Sequence, residues 1–132
     1  MANYYTTTSA KLEVPPKLID RAMETAERVY TAIEYEEGSC NIEFDNEDDG
    51  IWFFGEYVTP DHMVDIAKEI IEELELTTPF ICSWAHTCER PIIDAFGGGA
   101  ALVRLGRDTI YIDALSELES KRKTIDDGRD PL

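Results

Sequence analysis

Positive charge is what the middle of this chain has least of. Between Val29 and Glu89 there is one base, Lys68, against sixteen acids, so this window carries −15 of the chain's formal net charge of −16. A surface this negative repels DNA, RNA and anionic membranes, and it attracts basic proteins. The scarcity of bases therefore predicts a basic protein as the partner, with no direct binding to nucleic acid or membrane.

Other features are also scarce. No apolar run approaches the roughly 18 residues that a membrane-spanning helix needs, and the N-terminus lacks the basic and apolar regions of a secretory signal. The three cysteines, Cys40, Cys82 and Cys88, are an odd number without disulfide spacing. Reduced thiols are typical of the cytosol. We expect a cytoplasmic protein, of a bacterium or of a phage-infected cell.

The acidic window nevertheless has the composition of a folded domain. Disordered acidic segments lack aromatic residues, and this window contains nine: Tyr30, Tyr35, Phe44, Trp52, Phe53, Phe54, Tyr57, Phe80 and Trp84. A chain of 132 residues that is 43% hydrophobic can build one core. We predict a single domain over residues 15–124, with a flexible arm at 1–14 and a frayed tail at 125–132.

Periodicity gives the order of the elements. Apolar residues at helical spacing follow Pro15-Pro16 and, more clearly, Thr59-Pro60. Alternating residues on either side of the acidic turn 46–50 indicate a β-hairpin. A strand at 80–87, a long connection at 88–99, a second hairpin around Gly106-Arg107 and a short last helix complete the chain. The order α-β-β-α-β-β-β-α predicts an α+β fold, with a mostly antiparallel sheet and helices packed on one face.

The acids of the second helix form one stripe. Asp61, Asp65, Glu69 and Glu72 step by four, four and three residues, which places them on one side of a helix. Acids of the hairpin lie nearby in sequence. The predicted partner-binding residues are Asp48, Asp49, Asp61, Asp65, Glu69, Glu72 and Glu73. The alternative is a solvated acidic face without a partner.

The leading functional hypothesis is a non-enzymatic acidic inhibitor. Duplex DNA presents regularly spaced anions, so a folded surface of carboxylates can occupy the phosphate-binding groove of a nucleic-acid-binding protein. In composition and size the chain resembles small acidic antagonists that phages or mobile elements direct against defence nucleases, and immunity proteins for nuclease toxins. That resemblance implies docking on a nuclease or another component of a defence system.

A small enzyme or ligand-binding domain is the main alternative, and its site would lie in residues 84–99. Long connections are often functional, and consecutive glycines allow close backbone approach. The candidate ligand-binding residues are Trp84, Arg90, Phe96, Gly97, Gly98 and Gly99, and the candidate catalytic residues are His86, Cys88, Asp94 and Arg90. The competing interpretation is that Cys82 and Trp84 pack, His86 makes a local hydrogen bond, and the glycines form a bulge or flexible connector.

No cofactor is expected, and metal sites are only weakly indicated. Asp45, Glu47, Asp49 and Glu56 match the spacing of a calcium-binding loop, but the flanking residues alternate as in strands. His86 and Cys88 can share a zinc ion only if the strand kinks and other ligands approach.

A homo-oligomer is the remaining alternative. The run from Ile51 to Phe54 is apolar on both faces of its predicted strand, so a second copy can cover one face. The sequence thus leaves a homodimer open.

Overall fold

The protein, seen here in a computed structural model that describes residues 4–92 and 95–126, is built on a six-stranded antiparallel sheet in the order β2-β3-β1-β4-β5-β6. The strands are β1 (Tyr4–Glu13), β2 (Glu43–Glu47), β3 (Gly50–Gly55), β4 (Phe80–Cys88), β5 (Gly97–Val103) and β6 (Ile110–Asp113), and the helices are α1 (Ile19–Glu37), α2 (Pro60–Leu74) and α3 (Ala114–Asp126). The predicted α+β class, antiparallel sheet and helices on one face are confirmed.

The core lies between the sheet and the first two helices. Strand residues such as Phe53 and Phe80 pack there against the apolar stripe of α2, which includes Ile66 and Ile70, and all four are fully buried. Burial of this kind contributes about 1.5–3 kcal/mol per large side chain. Because side chains alternate along a strand, Ile81 on β4 points to the opposite face and is 71% exposed.

Residues 4–13 of the predicted arm form a strand. Tyr4–Glu13 forms β1, which pairs with β3 on one side and β4 on the other. The polarity of the threonine run suggested a loose arm, but threonine is a good strand former and these residues lie in β1. The hydroxyl of Thr8 is buried and donates to the carbonyl of Ser83 at 2.6 Å.

The predicted connection at 88–99 is also shorter than expected. β4 extends to Cys88 and β5 begins at Gly97, so the three glycines are strand residues, opposite His86, Ala85 and Trp84. They are not a flexible connector. A Cβ on Gly99 would lie 2.7 Å from the Trp84 indole and from the Ile112 carbonyl oxygen, so the missing side chain makes room for this ring.

The predicted connection at 88–99 and the predicted tail at 125–132 both include residues that the structure does not describe. Asp94 lies outside the described residues, as do 127–132. The expected tail at 125–132 begins inside α3, which continues to Asp126.

The sheet face opposite the helices, called here the open face, changes character across the molecule. At the β2 end it carries Glu43, Asp45 and Glu47, followed on β3 by Trp52 and Phe54. At the β6 end it carries aliphatic side chains from β4, β5 and β6, namely Ile81, Ala100, Leu102, Ile110 and Ile112.

Candidate functional site

A row of carboxylates lies along the outer strand β2. Glu43, Asp45 and Glu47 alternate onto the open face and are therefore roughly 6.6 Å apart. Asp48 follows in the turn to β3, and all four side chains are exposed. We call these four residues the acidic edge. Among the described residues, none of them forms an ion pair with a base.

A stacked aromatic pair borders the acidic edge. The rings of Trp52 and Phe54 lie 4.0 Å apart at 25°, and their residues pair in register with Asp45 and Glu43. The indole N–H of Trp52 donates to the Ser9 hydroxyl at 2.9 Å, which fixes the ring while it stays 37% exposed. A cation placed here would contact both a carboxylate and an aromatic surface.

An open groove of ≈ 660 Å³ adjoins the same pair. Its wall includes Glu43, Trp52 and Phe54, and the segment after β3 contributes Tyr57. Aromatic side chains in a concave surface are typical of binding sites. The groove therefore adds a concave surface beside the acidic edge.

The glutamates predicted on α2 have partners within the chain. Glu73 accepts a hydrogen bond from the Thr25 hydroxyl at 2.7 Å and pairs with Arg28, whose guanidinium also lies 3.8 Å from Glu69. The Thr25 hydrogen bond, assisted by Arg28, lowers the pKa of Glu73. These contacts join α2 to α1.

Glu72 connects α2 to the turn between β5 and β6. It pairs with Lys68 at 2.8 Å and accepts the Gly106 N–H at 3.0 Å, and both interactions lower its pKa. The Lys68 ammonium donates to the carbonyls of Arg104 and Arg107. Asp49 is likewise bound to Lys11, which lowers its pKa. The predicted partner-binding set is therefore divided between tethered acids and open ones.

Asp61 and Asp65 begin α2 on a different part of the surface. Shielding from water raises the pKa of Asp65, and Asp61 and Glu37 raise it further. Beside them His62, which the sequence offered only as a further candidate zinc ligand, is buried. Its Nδ1 accepts the Asn41 N–H at 2.9 Å, and its Nε2 lies 3.1 Å from Glu37. His62 holds the end of α1 against α2.

Two of the candidate site residues on β4, Trp84 and His86, have structural contacts. Trp84 packs against the core, and Nδ1 of His86 lies 2.9 Å from the Thr6 hydroxyl, so that nitrogen is engaged by β1. Arg90 and Phe96 are exposed in the connection. The groove described above is lined by other residues. The structure does not bring the predicted ligand-binding residues together around that groove.

Two of the thiols are poor nucleophiles and ligands. Burial raises the pKa of Cys40 and of Cys82 to about 11, so both are protonated at neutral pH. Only the thiolate is a strong nucleophile or metal ligand.

The residues that match the spacing of a calcium-binding loop do not form a loop in the structure. Asp49 precedes β3 and Glu56 follows it, so six strand residues separate them by about 20 Å. Within residues 4–92 and 95–126, no group of three or more His, Cys, Asp or Glu side chains is placed to hold a metal ion.

Comparisons with protein-family models, curated proteins and solved structures return no match. In the described part of the chain, no helix has the length and apolarity needed to cross a bilayer.

Proposed function

We propose that this protein is a binding protein that docks on a basic protein through the acidic edge. The observation that carries the proposal is the row Glu43, Asp45 and Glu47, which lies on the open face without internal ion pairs and beside the stacked Trp52–Phe54 pair. Carboxylates that already have partners contribute less to binding, because a new contact must replace an existing one.

Arginine is the side chain that this surface suits best. Its guanidinium binds carboxylates in a bidentate manner and stacks on aromatic rings, and it is less strongly hydrated than an ammonium group. Stacking on an exposed indole contributes about 0.5–1 kcal/mol. The net charge of −16 adds long-range attraction, which raises the association rate at low salt.

The partner proposed here binds nucleic acid, and docking inhibits it. Surfaces that hold phosphates are rich in arginine and lysine, and a regular row of carboxylates is complementary to them. In this proposal the partner is a nuclease or another component of a defence system. This chain is then a phage antagonist or an immunity protein that inhibits it, which is the function that the sequence favoured. The charge of the window 29–89 and the regular spacing on β2 support this proposal.

Capture from a native-host extract tests the docking surface. One variant replaces three acids of the edge, Glu43→Gln, Asp45→Asn and Glu47→Gln. A control removes the same charge elsewhere, with Glu24→Gln, Glu36→Gln and Glu75→Gln. We expect the wild type and the control to retain a basic protein at about 50 mM salt and to release it at about 300 mM, where screening is stronger.

Two results would count against the proposal. If the edge variant and the control capture the same protein equally well, net charge rather than the acidic edge is responsible. Competition then tests inhibition: the captured protein should lose its affinity for labelled duplex DNA when this chain is added. Unchanged DNA binding would remove the inhibitor proposal while leaving the docking surface intact.

A further inference from the structure

The two outer strands of the sheet differ in chemistry. β2 carries the acidic edge, whereas Ile110, Tyr111 and Ile112 of β6 are 47%, 50% and 51% exposed. In the described part of the chain β6 pairs with β5 alone, so the backbone N–H and C=O groups along its other side have no strand partner. Proteins usually protect such edges with charge, proline or a bulge. This edge is apolar.

The apolar surface continues from β6 across the open face. Ile110 and Ile112 line a shallow depression of ≈ 180 Å³ together with Leu102 and the strongly exposed Ile81. Contiguous exposed apolar surface of this kind marks an interaction site.

The helix side of this end is apolar as well. α3 follows β6 directly and exposes Leu115, Leu118 and Ile125. Its charges are partly segregated along its length: Glu117 and Glu119 lie in the first half, and Lys121, Arg122 and Lys123 lie in the second, which ends at Asp126. An antiparallel copy of α3 would place the acidic half of each helix opposite the basic half of the other.

The distribution of charge along the chain indicates which kind of molecule can cover the β6 end. Residues 90–126 contain six acids and six bases, while the window 29–89 carries −15. Two copies of a chain with net charge −16 repel each other when they approach through the acidic window. They can approach through the β6 end, which is neutral and apolar.

We infer that the β6 end is a homodimer interface, in which β6 pairs antiparallel with β6 of a second copy and the two sheets become one sheet of twelve strands. A two-fold axis normal to the sheet keeps the helices of both copies on one side and runs the two α3 helices antiparallel. The acidic edges then lie at the two far ends, so each copy keeps its proposed docking surface. The inference stands without that proposed function.

The symmetry also restricts the register. Residues opposite each other in an antiparallel pair share a face, so the two-fold axis requires one residue of β6 to lie opposite its own counterpart. We place Tyr111, the centre of the apolar run, at that position, and Ile110 then lies opposite the second copy's Ile112. The four isoleucines meet on the open face and extend the apolar surface around Ile81. Cα atoms in such pairs are about 4.5–5.5 Å apart, which is within reach of a disulfide.

Light scattering on the purified chain tests the dimer. At about 100 µM, well above a micromolar dissociation constant, we expect a mass twice the 15.0 kDa of one chain. Ile112→Lys should return the mass to that of a monomer, and Ile81→Lys should weaken the dimer. Tyr35→Lys changes a side chain that is 91% exposed on α1, and it should stay dimeric. Circular dichroism confirms that each variant is folded.

Cysteine cross-linking tests the register without disturbing the patch. Under mild oxidation Tyr111→Cys should give a cross-linked dimer on a non-reducing gel, and Tyr35→Cys should not. A monomeric wild type at this concentration, or equal cross-linking of the two variants, overturns the inference. A monomeric wild type whose Ile112→Lys variant loses a captured protein would assign the patch to a different partner instead.

Discussion

At the residue scale, acids that look alike in the sequence have different roles in the structure. Glu72 and Glu73 form bonds inside the molecule, whereas Glu43 and Asp45 face outward beside an aromatic pair. Alternation along the first strand of the hairpin predicted that Glu43 and Asp45 share a face, whereas Glu47 was assigned to the turn and is in fact the last residue of β2. The Lys68–Glu72 pair has the i,i+4 spacing that a helix predicts, whereas the tethers of Glu73 were beyond prediction because Thr25 and Arg28 are more than 40 positions away in the chain.

Asp65 provides a test of residue-level electrostatics. Its folded-state pKa is raised above the unfolded value of 3.8, so the ionised form destabilises the fold at neutral pH, and the penalty disappears as the pH falls below 3.8. Asp65→Asn should therefore increase the free energy of unfolding by a few tenths of a kcal/mol at pH 7, the scale of surface charge interactions. Urea unfolding at pH 7 and at about pH 3 checks this. An equal gain at both pH values would contradict it.

Two glycines of β5 give a second test at this scale. Gly99→Ala should destabilise the fold by about 1–3 kcal/mol, because its Cβ would overlap the Trp84 ring and the Ile112 carbonyl. Gly97→Ala is the matched control: the nearest atom to its Cβ lies at 3.6 Å, an ordinary contact. The midpoints of urea unfolding should differ accordingly. If the two variants unfold together, the close packing of Trp84 on Gly99 is not a constraint.

At the element scale, strong periodicity predicted well and weak polarity signals did not. The apolar stripe of α2, with Pro60 in its first turn, and the alternation around the acidic turn were sufficient for a helix and a hairpin. β1 was missed because Thr6–Ser9 has no apolar alternation of its own. Its place between β3 and β4 depends on partners about 50 and 80 residues away, which local patterns do not show.

β1 can be tested as a structural strand. Leu12 is 1% exposed, so Leu12→Ala should lower the free energy of unfolding by roughly 2–5 kcal/mol, the usual cost of a buried leucine. Glu13→Ala, at the exposed neighbouring position, should have little effect. Thermal unfolding followed by circular dichroism measures both. A Leu12→Ala protein as stable as the Glu13→Ala control would mean that the first strand is not part of the core.

At the scale of the whole molecule, the sequence predicted the segregation of charge but not its geometry. The acidic window contributes the outer strand β2, its hairpin partner β3, α2 and β4, while residues 90–126, whose charges balance, form β5, β6 and α3 at the opposite edge of the sheet. A small protein with one acidic edge and one apolar edge can use each edge for a different contact.

We propose the acidic edge, rather than the acids of α2, as the surface that binds a basic partner. Titration of the ¹⁵N-labelled protein with an arginine-rich peptide tests this most directly, because each amide and the Trp52 indole N–H report separately. We predict that the largest shifts fall within residues 43–54 and on the Trp52 indole. Larger shifts along α2, at Glu69, Glu72 and Glu73, would contradict the account.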